Sequence, residues 1–136
     1  MKTLLTLLLF TGIAHAAFSQ TKPIYFHATK SSFKLHEKDK LSPPIDCNDI
    51  FILNGTQKEI LVLSETGRVY TIIDQQHQQA ADGELLLLTA KDRNNNIVHF
   101  FLASINKGGG KFDHTLAMIN EDKSGFYYEG VARDVF

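Results

Sequence analysis

The stretch INKGGGKFDHT, residues 105–115, combines three glycines, a lysine and an Asp-His pair, so it is the first candidate for a chemical site. A phosphate-binding P-loop needs G-x-x-x-x-G-K, then Ser or Thr, and then a helix. Alignment on Gly110 and Lys111 puts Ile105 at the first glycine and Phe112 at the hydroxyl position, so both requirements fail. We therefore expect the glycines to give a hairpin turn its backbone freedom.

The histidines are the next candidates, because they serve both as metal ligands and as general bases. The chain has no H-E-x-x-H or C-x-x-C spacing, so we predict no metal site and no cofactor. Asp113 and His114 are neighbours in a predicted strand and point to opposite faces, so they form no dyad unless a bulge intervenes. His99 and His114 lie in strands that we expect to pair, and the register decides whether they share a face.

Nucleophiles and paired carboxylates give no stronger signal. The single cysteine, Cys47, is flanked by Asp46 and Asp49, and negative charge nearby disfavours the thiolate. No G-x-S-x-G motif marks a catalytic serine. We predict no catalytic residue, and the sequence favours a non-catalytic protein while leaving open whether any reaction occurs.

The first twenty residues, MKTLLTLLLFTGIAHAAFSQ, are typical of a secretory signal peptide. Lys2 precedes a short apolar run, and Ala14-His15-Ala16 fits the small-x-small cleavage rule. The run is too short for a spanning helix, which needs about 20 apolar residues. We predict a signal-peptide helix in residues 1–20 and a single exported β domain in residues 21–136, periplasmic or secreted, with no membrane span after removal of the leader.

The rest of the chain alternates short runs rich in Val, Ile, Phe, Tyr and Thr with turn residues. This rhythm predicts an all-β fold, an antiparallel meander of about eight strands that forms a small barrel or a sandwich. We interpret residues 24–36 as two strands or one bent strand, and residues 74–83 as a helical turn or an irregular loop. A hairpin around residues 65–67 is expected to place Ile60 opposite Ile72 and Val62 opposite Tyr70.

Three functional hypotheses fit this outline. The first is a non-catalytic exported binding protein for a small apolar or amphipathic ligand or for a protein partner. The alternatives are a small secreted enzyme that uses His99 and His114 with a carboxylate, and a structural or assembly component at the cell surface with an exposed edge strand. The chain has 14 basic and 15 acidic residues, so we expect no nucleic-acid partner. The candidate ligand-binding residues are Tyr70, His99, Phe101, His114 and Tyr128.

Overall fold

The computed structural model describes residues 22–64 and 67–133, which fold into one closed β-barrel. The strands are β1 (Ile24–Lys34), β2 (Ile45–Asn54), β3 (Glu59–Leu63), β4 (Arg68–Ala80), β5 (Gly83–Lys91), β6 (Ile97–Gly108), β7 (Lys111–Asn120) and β8 (Gly125–Arg133). Each strand pairs antiparallel with the next, and β8 returns to pair with β1. The predicted meander of about eight strands is confirmed, and its form is a barrel. The predicted leader lies outside the described residues.

The core fills the inside of the barrel with one face of every strand. Side chains alternate between the two faces of a strand, so every second residue points inward. A barrel of eight strands has an interior that side chains can fill. The buried apolar residues are Ile24, Phe26, Ala28, Phe51, Leu53, Ile60, Val62, Tyr70, Ile72, Leu86, Leu88, Ala90, Val98, Phe100, Leu102, Leu116, Met118, Tyr128 and Ala132.

The barrel closes where β1 meets β8, and a glycine allows the close approach of the two backbones. Gly130 pairs with Ala28 at this seam. A Cβ atom at position 130 would lie 2.0 Å from the carbonyl oxygen of His27. Only glycine lacks that atom, so the residue type at position 130 permits closure.

β1 is one bent strand, which is the second of the two interpretations of residues 24–36. Its pairing shifts between Ala28 and Lys30 against both neighbours, which marks a β-bulge. Phe26 and Ala28 point inward before the bulge, and Ser31 and Phe33 stand opposite the inward residues of β8 after it. The bulge therefore keeps both halves of a long, bent strand facing the same interior.

The interpretation of residues 74–83 as a helical turn or loop is wrong, because β4 continues as a strand to Ala80. The register shifts between Ile72 and Asp74, and the residues beyond this bulge pair with β5. Polar side chains such as Gln76 and Gln78 are exposed on the outer face. Cross-strand pairing with an apolar β5 therefore outweighs the polar composition, which on its own resembles a loop.

The hairpin between β3 and β4 forms, but its expected register is wrong by two residues. Ile60 lies opposite Tyr70, and Val62 lies opposite Arg68. The connection is longer than the predicted three-residue loop, since β3 ends at Leu63 and β4 begins at Arg68. A shift of two keeps the same side chains inward, because the period of a strand is two. Because of this shift, Arg68 lies opposite the core residue Val62.

The three glycines of the opening motif make the predicted turn. β6 ends at Gly108 and β7 starts at Lys111. Gly109 and Gly110 have φ values of 63° and 77°. Positive φ at both central residues is typical of tight hairpins, and glycine adopts it without strain.

Candidate functional site

The two ends of the barrel carry different inward-facing side chains. The connections β1–β2, β3–β4, β5–β6 and β7–β8 meet at one end, which we call the open end. The connections β2–β3, β4–β5 and β6–β7 meet at the opposite end. Because side chains at both ends follow the same inward alternation as the core, either end could present a site to a ligand.

The open end has an apolar mouth formed by Phe33, Ile45 and Phe126. Phe33 lies opposite Phe126 across β1 and β8, with ring centroids 6.5 Å apart. Ile45 lies opposite Ser31, which in turn lies opposite the inward-facing Tyr128. All three side chains therefore have inward positions, yet they are 44%, 63% and 41% exposed, respectively. They form an apolar surface inside the rim of the barrel.

Next to the mouth, the inner wall carries a polar layer formed by Tyr70, Tyr128, Cys47 and Arg68. Tyr128 stacks on Phe126 with centroids 6.2 Å apart and meets Phe51 edge-on at 4.8 Å. Burial raises the pKa of Tyr128 to about 12, the charge of Asp49 adds to the shift, and the positive charge of Arg68 opposes it. Both hydroxyl groups of the layer, on Tyr70 and Tyr128, are consequently neutral donors at physiological pH.

Tyr70 and Cys47 complete this layer. The hydroxyl of Tyr70 lies 4.0 Å from Sδ of Met118, and its ring meets Phe100 edge-on at 5.1 Å. Burial raises the pKa of Tyr70, and the charge of Arg68 opposes that shift. Burial likewise raises the pKa of the Cys47 thiol. A thiol with a raised pKa is a poor nucleophile, so Cys47 contributes packing rather than reactivity.

The middle of the barrel is filled by aromatic rings. Phe26, Phe51 and Phe100 are fully buried. Phe26 and Phe51 pack edge-on with centroids 6.1 Å apart. This packing places any ligand at an end of the barrel rather than at its centre.

The opposite end carries a different set of polar groups on the inner wall. Ser104 lies opposite Glu84 on one side and opposite His114 on the other, so the three form one row across β5, β6 and β7. His77 Nε2 lies 2.7 Å from Glu84 Oε1. Burial lowers the pKa of His114, so its imidazole is held neutral more strongly than in water. Ser, His and Glu are the residue types of a hydrolase catalytic triad. Among the described residues, however, no hydrogen bond joins Ser104 Oγ to His114.

The predicted ligand-binding residues are divided between the two faces of the wall. Tyr70 and Tyr128 lie inside the barrel at the open end, and His114 lies inside at the opposite end. His99 and Phe101 lie on the outer face of β6, with their rings 6.5 Å apart. His99 pairs with Ile119, and its Nδ1 atom lies 3.3 Å from Thr89 Oγ1. The set therefore does not form one site.

The register also separates the two histidines of the enzyme hypothesis. In the β6–β7 ladder, His114 lies opposite Ser104, and His99 lies opposite Ile119. Even-numbered residues of both strands point inward, so His99 and His114 are on opposite sides of the wall. They do not share a surface in this fold.

Sequence reasoning missed the mouth residues and Arg68. Phe33 and Ile45 could not be assigned to the interior, since their direction depends on the bulge in β1 and on the β1–β2 register. Arg68 could have been found, because it lies two residues before Tyr70 on the same predicted strand face.

Within residues 22–64 and 67–133, no group of three or more His, Cys, Asp or Glu side chains could hold a metal ion. The same residues contain no helix that is long and apolar enough to cross a membrane.

The chain was compared with known families, proteins and structures. No protein-family model, no curated protein and no solved structure matches it significantly. The function of the chain therefore has to be inferred from its own side chains.

Proposed function

We propose that this protein is an exported, non-catalytic binding protein that takes a small amphipathic molecule into the open end of its barrel. The observation that carries the proposal is the exposure of the apolar mouth, Phe33, Ile45 and Phe126. Inward-facing residues of a barrel are normally covered, as Phe51 and Tyr128 are one layer deeper. An apolar concave surface with a few polar groups at its base is typical of small-molecule sites.

The polar layer gives this surface its amphipathic character. Tyr70, Tyr128 and Arg68 face inward near the open end and bring two hydroxyls and a guanidinium close to the apolar mouth. A ligand that covers the mouth with an apolar part and directs a polar part inward would use both. A purely apolar ligand would leave the buried Nε of Arg68 without an acceptor from the described residues or from the ligand, which costs free energy.

The two alternatives have less support at the level of geometry. The enzyme hypothesis needs His99 and His114 on one surface, and the wall of the barrel lies between them. The assembly hypothesis needs an edge strand, and each of the strands β1–β8 has a neighbour on both sides. Ligand binding needs neither arrangement.

Export is the second part of the proposal, and it is supported by the leader-like pattern of the first twenty residues. The check is the N-terminus of the mature protein after expression of the full chain in a secreting host. We expect a product that starts between residues 17 and 21. A product that retains Lys2 and stays with the cytoplasm contradicts this part and leaves the ligand site untouched.

The ligand site is tested with the neutral fluorescent probe N-phenylnaphthylamine, whose emission rises in apolar surroundings. Ile45 and Val131 form a matched pair, since they are 63% and 61% exposed but face inward and outward, respectively. We expect the chain starting at residue 21 to bind the probe, Ile45→Ser to weaken binding about tenfold, and Val131→Ser to leave it unchanged. Equal effects of the two substitutions, or no binding by the unmodified chain, would contradict the proposal.

A further inference from the structure

Arg68 is a basic residue whose side chain points into the barrel. It begins β4 and lies opposite Val62, a fully buried core residue. It also shares its strand face with Tyr70 and Ile72, both of which are buried. Arginine is rarely placed against a barrel core without a partner, because removing its charge from water is costly.

The guanidinium lies close to both tyrosines of the polar layer. Its charge opposes the burial-driven rise in the pKa of Tyr70 and of Tyr128, which stand on strands β4 and β8. These two strands are not neighbours in the barrel. Arg68 is the first residue of β4, at the open end, and it faces inward, so a molecule entering from that end would meet its side chain.

The Arg68 side chain hydrogen-bonds with the hydroxyl of Tyr70, yet the described residues use only part of its hydrogen-bonding capacity. Its Nε atom is buried and has no hydrogen-bond partner within residues 22–64 and 67–133. Among the described residues, no carboxylate oxygen lies within 4.0 Å of its guanidinium nitrogens. Nearly all buried polar groups in folded proteins are hydrogen-bonded, so an orphaned donor inside a candidate site indicates a missing acceptor.

The guanidinium of Arg68 indicates which kind of acceptor a ligand would supply. The planar fork of a guanidinium matches the two oxygens of a carboxylate, with which it forms paired hydrogen bonds. Asp49 and Asp92 also act on the hydroxyls of Tyr128 and Tyr70, so negative charge is already present around the layer. That charge repels a doubly charged head group such as a phosphate monoester more strongly than a singly charged carboxylate.

We propose that Arg68 binds the carboxylate head group of an amphipathic monoanion whose apolar chain covers Phe33, Ile45 and Phe126. This inference rests on the proposed function and specifies its ligand class. The donor that lacks a partner is satisfied by the carboxylate, and the exposed rim is buried by the chain. Tyr70 and Tyr128 are the adjacent hydroxyl donors.

The test compares two ligands that differ only in the head group, dodecanoate and dodecanol, by displacement of N-phenylnaphthylamine. For the unmodified chain starting at residue 21, we expect dodecanoate to bind about tenfold more tightly than dodecanol or better, as expected for charge-assisted hydrogen bonds. Arg68→Met should bind the two ligands equally and still bind the probe. Arg68→Lys keeps the charge without the fork, and we expect it to retain part of the preference.

The outcomes separate the inference from the function on which it rests. Probe binding together with equal affinity for the two ligands, or a preference that persists in Arg68→Met, overturns the carboxylate assignment and leaves the binding function standing. No probe binding by the unmodified chain overturns both. Unfolding curves in urea identify a variant that has lost its fold, and in that case Arg68→Lys decides the outcome by its reduced preference.

Discussion

Replacement of Gly130 by alanine should open the seam that closes the barrel. The added Cβ would lie 2.0 Å from the carbonyl oxygen of His27, 2.8 Å from its carbonyl carbon and 2.9 Å from Cα of Ala28. Carbon–oxygen contacts between adjacent strands are normally about 3.3 Å or longer, so the backbones must separate by about 1.3 Å. All three atoms belong to the backbone, and no side-chain rotation can relieve the overlap.

The cost follows from the ladder around this position. A displacement of this size breaks the hydrogen bonds nearest to the Gly130–Ala28 pair, and each contributes about 0.5–1.5 kcal/mol. Groups left buried without a partner add about 1–3 kcal/mol each. We therefore expect Gly130→Ala to lower the free energy of unfolding by about 3 kcal/mol.

Urea denaturation followed by circular dichroism measures this effect. With a slope of about 1.5 kcal/mol per M, the midpoint should fall by about 2 M. The control is Val131→Ala at the adjacent, outward-facing position, which should shift the midpoint by less than about 0.3 M. A Gly130→Ala midpoint within about 0.3 M of that of the unmodified chain would refute the closure of β1 against β8 as described.

Three further perturbations test the core, the opposite end and the polar layer. Phe51→Ala removes a fully buried ring that contacts Phe26 and Tyr128, and in urea denaturation it should cost about 3–5 kcal/mol; a cost under about 1 kcal/mol would contradict the filled interior. Burial lowers the pKa of His114 below the unfolded value of 6.5, so the unfolded chain binds more protons and stability should fall as the pH drops below about 6.5. His114→Gln should reduce the dependence of the unfolding free energy on pH. An unchanged dependence would show that His114 is not its source. The Cys47 thiol, whose pKa burial raises above 9.0, should react slowly with Ellman's reagent at neutral pH, and rapid reaction there would place it outside the layer.

The fold class could be predicted from local signals. Runs such as EILVL and FHAT alternate with turn residues, and each hairpin needs only nearby contacts. Gly109 and Gly110 marked their turn because few other residues adopt positive φ readily. Barrel closure was not predictable in this way, since the β1–β8 pairing joins the two ends of the described chain and depends on the close approach at Gly130.

The candidate site was predicted only in part, because site formation depends on register as well as on alternation. Alternation along one strand correctly places Tyr70 and Arg68 on the same face. It does not show which residues of β7 share a face with which residues of β6. The separation of His99 from His114 is set by the β6–β7 register, which passes an irregularity between Asn106 and Gly108. The mouth depends on the bulge in β1, which no local composition reveals.

The central claim is that the open end of the barrel holds the ligand, and mapping of amide chemical shifts by NMR during titration with dodecanoate tests it most directly. The account predicts that the largest shifts occur in residues 31–35, 45–49, 68–70 and 125–128, which carry the mouth and the polar layer. Shifts that cluster around His77, Glu84 and His114 would place binding at the opposite end. Shifts confined to outward-facing residues such as Val131, or their absence at saturating ligand, would equally contradict the claim.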